Sequence, residues 1–531
     1  MMLDIERIVI AVMIFTTLIY LSLSFVFCKN ALHMFQQNRY ELYRYSKWLF
    51  NRNNLHYSPV LVYLAFVILM SLFIRKNPLV FEMLILMATV GFAIYLLIRE
   101  TRKVYIKDLN ITARVVRQII FMFILMAIFM YAVLLIMPLW VASVCAIYMP
   151  YLMIYVMAVL TMPIENRVKK YYENEARNIL SSSKNLLTIG ITGSYGKTST
   201  KNIISDIIDD DFYTLITPAS YNTPMGITRT VREMLKPTHE VFVCEMGADK
   251  VNDISYLMDF VKPRFGVVTS IGKQHLNTFH SLENIIAEKM KEIEMLPSDG
   301  VGFINVDNEH IRNYKINNDC RIITVGTDDT VADYVAKKIK YTKDGSQFTV
   351  RIKGKDYRFT TSLLGRHNIG NIMLGIAIGL ELGIDIKKIV RNVENIRQIE
   401  HRLEVKNING YTFIDDAFNA NPVGSKQSLD VLSLMPGNRI IVTPGMIDLG
   451  SEEDEINRDF GRYMKGKADH VVLVGQKQTT TIYEGLEESG FDMNNVIVCK
   501  NINEAFSYLY SHFSKNDTIL LENDLPDAFN V

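Results

Sequence analysis

The run GITGSYGKTST, Gly190–Thr200, gathers Gly193, Ser194, Gly196, Lys197, Thr198 and Ser199 into one short loop. The apolar LLTIGI before it reads as a buried strand, and a helix is expected from about Lys197. Between two such elements, Gly193 and Gly196 let backbone N–H groups come close to a phosphate, and the helix N-terminus adds partial positive charge. Lys197 would reach the β- and γ-phosphates of ATP, and the Thr198 hydroxyl would ligate Mg²⁺. Where the common eight-residue pattern has its first glycine, this chain has Ile191. A glycine-rich turn before an ordinary helix is the plainer reading of the same residues.

Other polar residues fall where strands should end. VFVCEMGAD places Glu245 at the C-terminal end of a buried strand, the edge where ligands gather in an open α/β sheet. A carboxylate there suits Mg²⁺, or equally a helix cap or an ion pair. VVTSIGKQHLNTFHS sets His275 in the loop after the next strand, and SLENIIAEKMKEI sets Lys289 on a helix; each alone reads as a surface residue. LLGRHNIGN carries His367, Asn368 and Asn371 at a helix start, where asparagine is commonly a cap. HRLEV supplies Arg402, and FIDDAFNANP supplies Asp416, Asn419 and Asn421, a turn or a binding edge.

The elements that must position these residues form a doubly wound pattern. Apolar strands alternate with amphipathic helices from Leu186 to about Val331, hairpins follow around Asp344-Gly345, and a second α/β stretch starts near His401. The expected fold is multi-domain: an all-α transmembrane region of five helices over 1–164, a charged helical linker over 165–185, a P-loop α/β ATPase domain over 186–398, and a smaller Rossmann-like α/β domain over 399–531.

The transmembrane expectation rests on apolar runs at Ile8–Phe27, Val60–Ile74, Leu79–Ile98, Ile119–Met137 and Leu139–Met162, most of them near the ~20 residues that cross a bilayer. Basic residues crowd Lys29–Asn54, Arg99–Gln118 and Arg167–Lys170, which puts those segments and the polar part in the cytoplasm, with the N-terminus outside. Lys+Arg of 57 against Asp+Glu of 56 leaves no global basic field for nucleic acid. The five cysteines show no paired metal spacing, as in a reduced compartment.

Taken in order, TGSYGKTS, SYNTPMG, EMGA, TSIGKQHL, LGRHNIGN, HRLEV and DDAFNANP resemble the Mur ligase family, and within it the branch that adds D-alanyl-D-alanine to a muramoyl tripeptide. The resemblance covers about Leu186–Met446, and the family's shortened TGxxGKT loop accounts for Ile191. It implies an ATP-dependent amide ligase of peptidoglycan synthesis acting through an acyl phosphate with Mg²⁺. It also implies phosphate contacts at Lys197 and Thr198, and metal contacts at Glu245 and His275. Lys289 resembles the family's carbamoylated lysine, with Lys291 as the alternative. His367, Asn368 and Asn371 resemble adenine-side residues, Arg402 and Asp416 residues that reach ATP on closure, and Asn222, Thr223, Asn419 and Asn421 a substrate edge. Two features depart from the family. Five spans replace its uridine-gripping N-terminal domain, and LLENDLPDAF (Leu520–Phe529) stands where a KGSR-like segment is usual. The expected acceptor is a muramoyl peptide, soluble or lipid-linked, joined to an amino acid or dipeptide amine. A membrane-bound poly-γ-glutamate synthetase and a non-catalytic ATP-binding scaffold are the alternatives.

Overall fold

The computed structural model describes residues 24–50, scattered positions over 84–102, 108–136 and 139–523, apart from 329, 343–344, 399–400, 409, 418–420, 448 and 450–451. The chain divides into two compact units at Lys170/Tyr171. That division falls inside a helix. The charged segment expected to be a helical linker is helical, and it is continuous with the last apolar run in one helix, Leu139–Ser182 (α2), with Pro150 and Pro163 inside it. Strong helix formers such as Glu165, Arg167, Lys169, Lys170, Glu173 and Glu175 carry the helix on past the apolar run.

In the first unit, Ala113–Ile136 (α1) and α2 are joined by helical segments over 24–37 and Leu42–Leu49. The Lys29–Asn54 segment, expected as a loop, is therefore largely helical where described. Tyr45 is fully buried against Phe35, Trp48 and Tyr155, and its hydroxyl donates to the Tyr151 carbonyl at 3.1 Å. Among the described residues, two stretches rather than five are long and apolar enough to cross a membrane: Ala113–Val133 and Tyr148–Ser182. The run Val60–Ile74 and most of Ile8–Phe27 lie outside the described residues, as do parts of Leu79–Ile98.

The second unit contains two sheets. The first has nine strands in the order β2-β3-β1-β4-β5-β6-β7-β8-β9. These are β1 (Leu187–Thr192), β2 (Thr214–Ile216), β3 (Val241–Glu245), β4 (Phe265–Val268), β5 (Val301–Asn305), β6 (Arg321–Thr327), β7 (Tyr334–Thr342), β8 (Gly345–Ile352) and β9 (Lys355–Thr361). Pairing is parallel from β2 to β7 and antiparallel through β7–β8–β9, the expected hairpins. Helices Lys197–Ile208 (α3), Pro224–Met234 (α4), Asp253–Val261 (α5), Leu282–Glu294 (α6), Arg366–Glu381 (α7) and Ile386–Glu394 (α8) cover its faces. One core packs α3 and α7 against the sheet, and the other packs α5 and α6. With both faces covered, β1, β3 and β4 read as unbroken apolar runs.

The second sheet has the order β10-β11-β15-β12-β13-β14. Its strands are β10 (Glu404–Ile408), β11 (Tyr411–Asp416), β12 (Arg439–Thr443), β13 (His470–Val474), β14 (Val496–Cys499) and β15 (Thr518–Glu522), with helix Pro422–Leu432 (α9) after β11. All its pairs are parallel except β10–β11. The two mixed sheets agree with the α/β expectation for both domains.

Candidate active site

The phosphate-binding loop sits between β1 and α3. Gly196 caps α3 in the left-handed region at φ 81°, a conformation that glycine adopts without strain. Gly193 has φ 151°, and a Cβ there would run into Thr269 and the Ser270 backbone. The loop after β4 holds this close approach. Ser194 N–H donates to the Ser270 carbonyl at 2.7 Å, and its hydroxyl donates to the Gly272 carbonyl at 3.0 Å. Lys197 Nζ donates to the Gly193 carbonyl at 2.6 Å, so the loop's cation lies along the loop itself. Burial lowers its proton affinity, opposed by Glu245.

Glu245 ends β3 beside this loop, because β1 and β3 run parallel with Ile191 opposite Glu245. Its carboxylate is almost wholly buried. Thr198 Oγ1 donates to its Oε2 at 3.0 Å, and Asn222 Nδ2 donates to Oε1 at 3.0 Å. Lys201 Nζ donates to the same Oε2 at 3.1 Å and to the Ala219 carbonyl at 2.7 Å. Lys201 was not among the expected site residues. It lies one helical turn after Lys197 on α3, and that i, i+4 spacing was the available signal.

A hydroxyl and a carboxylate at hydrogen-bond distance are the hard oxygen donors that Mg²⁺ prefers. Thr198 and Glu245 therefore fit the expected metal. His275, at φ 52°, places Nε2 3.4 Å from Asp249 Oδ1. Lys289 faces the interior of α6 and reaches the Ala248 carbonyl at 3.4 Å, whereas Lys291 is exposed. Burial, with Lys197 nearby, brings the Lys289 ammonium down to about 7. Its neighbour Glu288 is engaged elsewhere, accepting the Asn252 and Ile254 N–H groups at the start of α5.

The start of α7 faces the loop from the other side. Asn371 lies against Gly196. Among the described residues, Asn371 Nδ2 and His367 Nδ1 are buried without a hydrogen-bond partner, which fits a base with ring nitrogens and an amino group. Burial, with Arg402 adding to it, takes His367 down to about 4, so the ring is neutral at physiological pH. Asn368 is bound to the chain, donating to the Leu364 carbonyl at 2.8 Å. Arg402 connects the two sheets electrostatically. Burial lowers its proton affinity, while Asp416, Glu245 and Glu522 oppose that.

The expected substrate edge is divided. Asn222 joins the Glu245 cluster, but Thr223 caps α4 through the Gly226 N–H, and Asn421 caps α9 through the Gly424 N–H at 2.8 Å. Asn419 lies outside the described residues. A second set of donors, His401, Glu404 and Asp415, lies within 4.8 Å of one another. Lys406 Nζ occupies that cluster, 2.9 Å from Glu404 and 2.8 Å from Asp415.

Residues 191–379 match the Mur ligase middle domain, and residues 401–522 match the Mur ligase glutamate ligase domain. The UDP-N-acetylmuramoyl-tripeptide–D-alanyl-D-alanine ligase of Bacillus subtilis is 30% identical over 338 residues, 63% of this chain and 72% of that protein. The chain belongs to the Mur ligase family. The Escherichia coli protein of the same description is 27% identical over 292 residues, which are 54% of this Mur ligase and 64% of the relative. The fold resembles that of MurF from Acinetobacter baumannii, with a TM-score of 0.60, 23% identity, and coverage of 67% and 77% of the two chains. MurF from Thermotoga maritima in complex with ADP gives 0.61, 21%, 67% and 80%. As a Mur ligase the protein is an ATP-dependent amide ligase.

Proposed function

We propose that this Mur ligase joins a muramoyl peptide to an amine, as its D-alanyl-D-alanine-adding relatives are named for doing. The observation that carries the reading is the Thr198–Glu245 hydrogen bond behind the phosphate loop, with Lys197 on the loop and unpartnered His367 and Asn371 atoms across from it. The loop N–H groups and Lys197 hold the transferring phosphoryl group, and His367 and Asn371 orient the adenine. An oxygen of the acceptor carboxylate attacks the γ-phosphorus, the bond to the β-phosphate oxygen breaks, ADP leaves and an acyl phosphate forms. The neutral amine attacks the acyl carbon, the C–N bond forms, phosphate leaves with the C–O bond pair, and the amine nitrogen gives up a proton. Mg²⁺, when bound, offsets charge on the phosphates, and Thr198, Glu245 and His275 would hold it. The Lys289 amine, brought down to about 7 by burial, has a substantial neutral fraction near pH 7 and suits reaction with carbon dioxide to a carbamate. This favours Lys289 over Lys291 as the modified lysine.

The N-terminal unit is read as a membrane anchor, with the ligase domains on the cytoplasmic side. Large apolar side chains point outward along both long helices, among them Ile124, Ile128 and Tyr131 on α1 and Val156, Val159 and Leu160 on α2. The acceptor is then met at the bilayer, where a lipid-linked muramoyl peptide competes with the uridine-linked one.

Phosphate release from ATP by the purified full chain tests this reading. Release that requires both a muramoyl tripeptide acceptor and D-alanyl-D-alanine is expected, and Lys197→Ala should lower it by at least ~10³-fold. Turnover with a glutamate chain and glutamate instead would replace this reading with the polyglutamate one.

A further inference from the structure

The C-terminal edge of the nine-stranded sheet carries a second cationic site that the phosphate loop does not use. A cavity of about 920 Å³ opens there, lined by Arg312, Lys337, Lys338 and Arg366 together with Asp328 and Thr327. Thr327 ends β6, and β6 runs in the same direction as β1, so cavity and phosphate loop share one edge.

Two consecutive lysines line this cavity, which an ordinary strand does not allow, because neighbouring side chains point to opposite faces. A bulge accounts for it. Lys337 pairs with Thr349 and Lys340 with Gln347, so β7 carries one extra residue against β8. Lys338, within that bulge, has φ 55°, a left-handed conformation that non-glycine residues seldom adopt. Bulges of this kind re-aim side chains beside functional sites. Here the result is two ammonium groups at the end of the sheet, exposed and without an ion pair or hydrogen bond among the described residues.

Arg366, the first residue of α7, is held over the same cavity. Its Nε donates to Thr327 Oγ1 at 3.0 Å, and its Nη2 lies 3.4 Å from Asp328. Arg312 is fixed by the Val306 carbonyl at 2.9 Å. The nearby Asp307 is not among the lining residues and is engaged by Thr327 N–H and by the Thr327 and Thr330 hydroxyls. Four cations thus line the cavity against one carboxylate, a balance that favours a ligand with more than one negative charge.

We propose that this cavity holds the diphosphate of the acceptor, an inference that rests on the muramoyl-peptide reading above. Three strand spacings separate β1 from β6 and a fourth reaches β7, about 14 to 19 Å, too far for the phosphates of an ATP seated on the phosphate loop to occupy both places. The distance suits the acceptor. Three extended residues reach about 10 Å, and the sugar ring together with the reach of the lysine side chains spans the rest, so the peptide carboxylate can meet ATP while the diphosphate lies on Lys337 and Lys338. The diphosphate can belong to a nucleotide sugar or to a polyprenyl lipid, and the cavity recognises the chemistry common to both.

The test is the double variant Lys337→Ser/Lys338→Ser in the full chain, two exposed positions outside the ATP machinery. The KM for a diphosphate-bearing acceptor should rise at least tenfold, with kcat and the KM for ATP unchanged. A muramoyl tripeptide without phosphate should show no change. Running the assay with uridine-linked and lipid-linked acceptors identifies the source, since the affected acceptor is the one the cavity holds. An unchanged KM for both, or an equal rise for the phosphate-free peptide, overturns the proposal. A second measurement is independent of ligation. Inorganic pyrophosphate is titrated into the full chain carrying Lys197→Ala, which disables the phosphate loop. Binding that weakens at least tenfold when the two serines are added supports the site even if no muramoyl acceptor is used. Binding that is unchanged, or absent from the start, overturns it.

Discussion

Glu245 is held by three donors at once, and the one that carries charge is Lys201. Both side chains are almost completely buried, so removing either leaves an uncompensated charge in the interior. Lys201→Met is expected to cost about 3 kcal/mol or more in urea unfolding. Adding Glu245→Gln should recover a large part of that loss, and a strictly additive double variant would argue against the pair. Glu292 on α6 is a different case. It is fully buried, and among the described residues neither carboxyl oxygen has a hydrogen-bond partner. Burial pushes it up to about 8 from an ordinary 4.5, with Lys289 opposing. Between those values the folded state binds a proton that the unfolded state does not, so this group's contribution to stability falls as pH rises from about 4.5 to 8. Glu292→Gln should therefore raise the thermal midpoint more at pH 8 than at pH 5. An equal gain at both pH values would mean that the carboxyl does not titrate in this way.

At the scale of elements, β1 and α6 meet closely. Gly190 sits where an added Cβ would collide with Glu292 Oε1 and crowd Met246. Gly190→Ala should cost roughly 1–3 kcal/mol through overpacking and should displace the strand that feeds the phosphate loop. ATP affinity should fall with it. If the collision is the cause, Glu292→Ala in the same chain restores both stability and ATP binding. If that second change restores neither, the loss has another origin. The β7 bulge belongs to this scale too, since a change of register of one residue converts two ordinary surface lysines into one site.

At the scale of the whole molecule, α2 runs from the apolar unit into the ligase unit without a break. If the N-terminal unit is an anchor, the full chain should stay with membranes after alkaline carbonate extraction, while a fragment starting at Lys184 should be soluble. Release of the full chain by carbonate alone would rule out the spanning arrangement. Should the anchor hold, deleting it should raise the KM for a lipid-linked acceptor far more than for a uridine-linked one.

What the sequence by itself determined is whatever depends on a short run of neighbours. The phosphate loop was legible because Gly193, Gly196, Lys197 and Thr198 are contiguous, and their chemistry needs only a strand before and a helix after. The strands were legible because a sheet covered on both faces requires unbroken apolar runs, and such runs also place Glu245 and Asp416 at strand ends. The choice between Lys289 and Lys291 was not legible, since both lie on an amphipathic helix and only its packing against β4 and α5 buries one of them. Glu292 and Glu522 read as solvated charges until the sheets close over them. Lys201, too, acquires its role only when β3 brings Glu245 beside α3. The Lys29–Asn54 loop failed for a related reason: charge marks the end of an apolar face, but a helix continues through it as long as its residues favour helix, and the charged linker, read as helical, is helical in continuity with the apolar run before it. Strand register, bulges and helix rotation are set by contacts between residues far apart in the chain, and local composition does not record them.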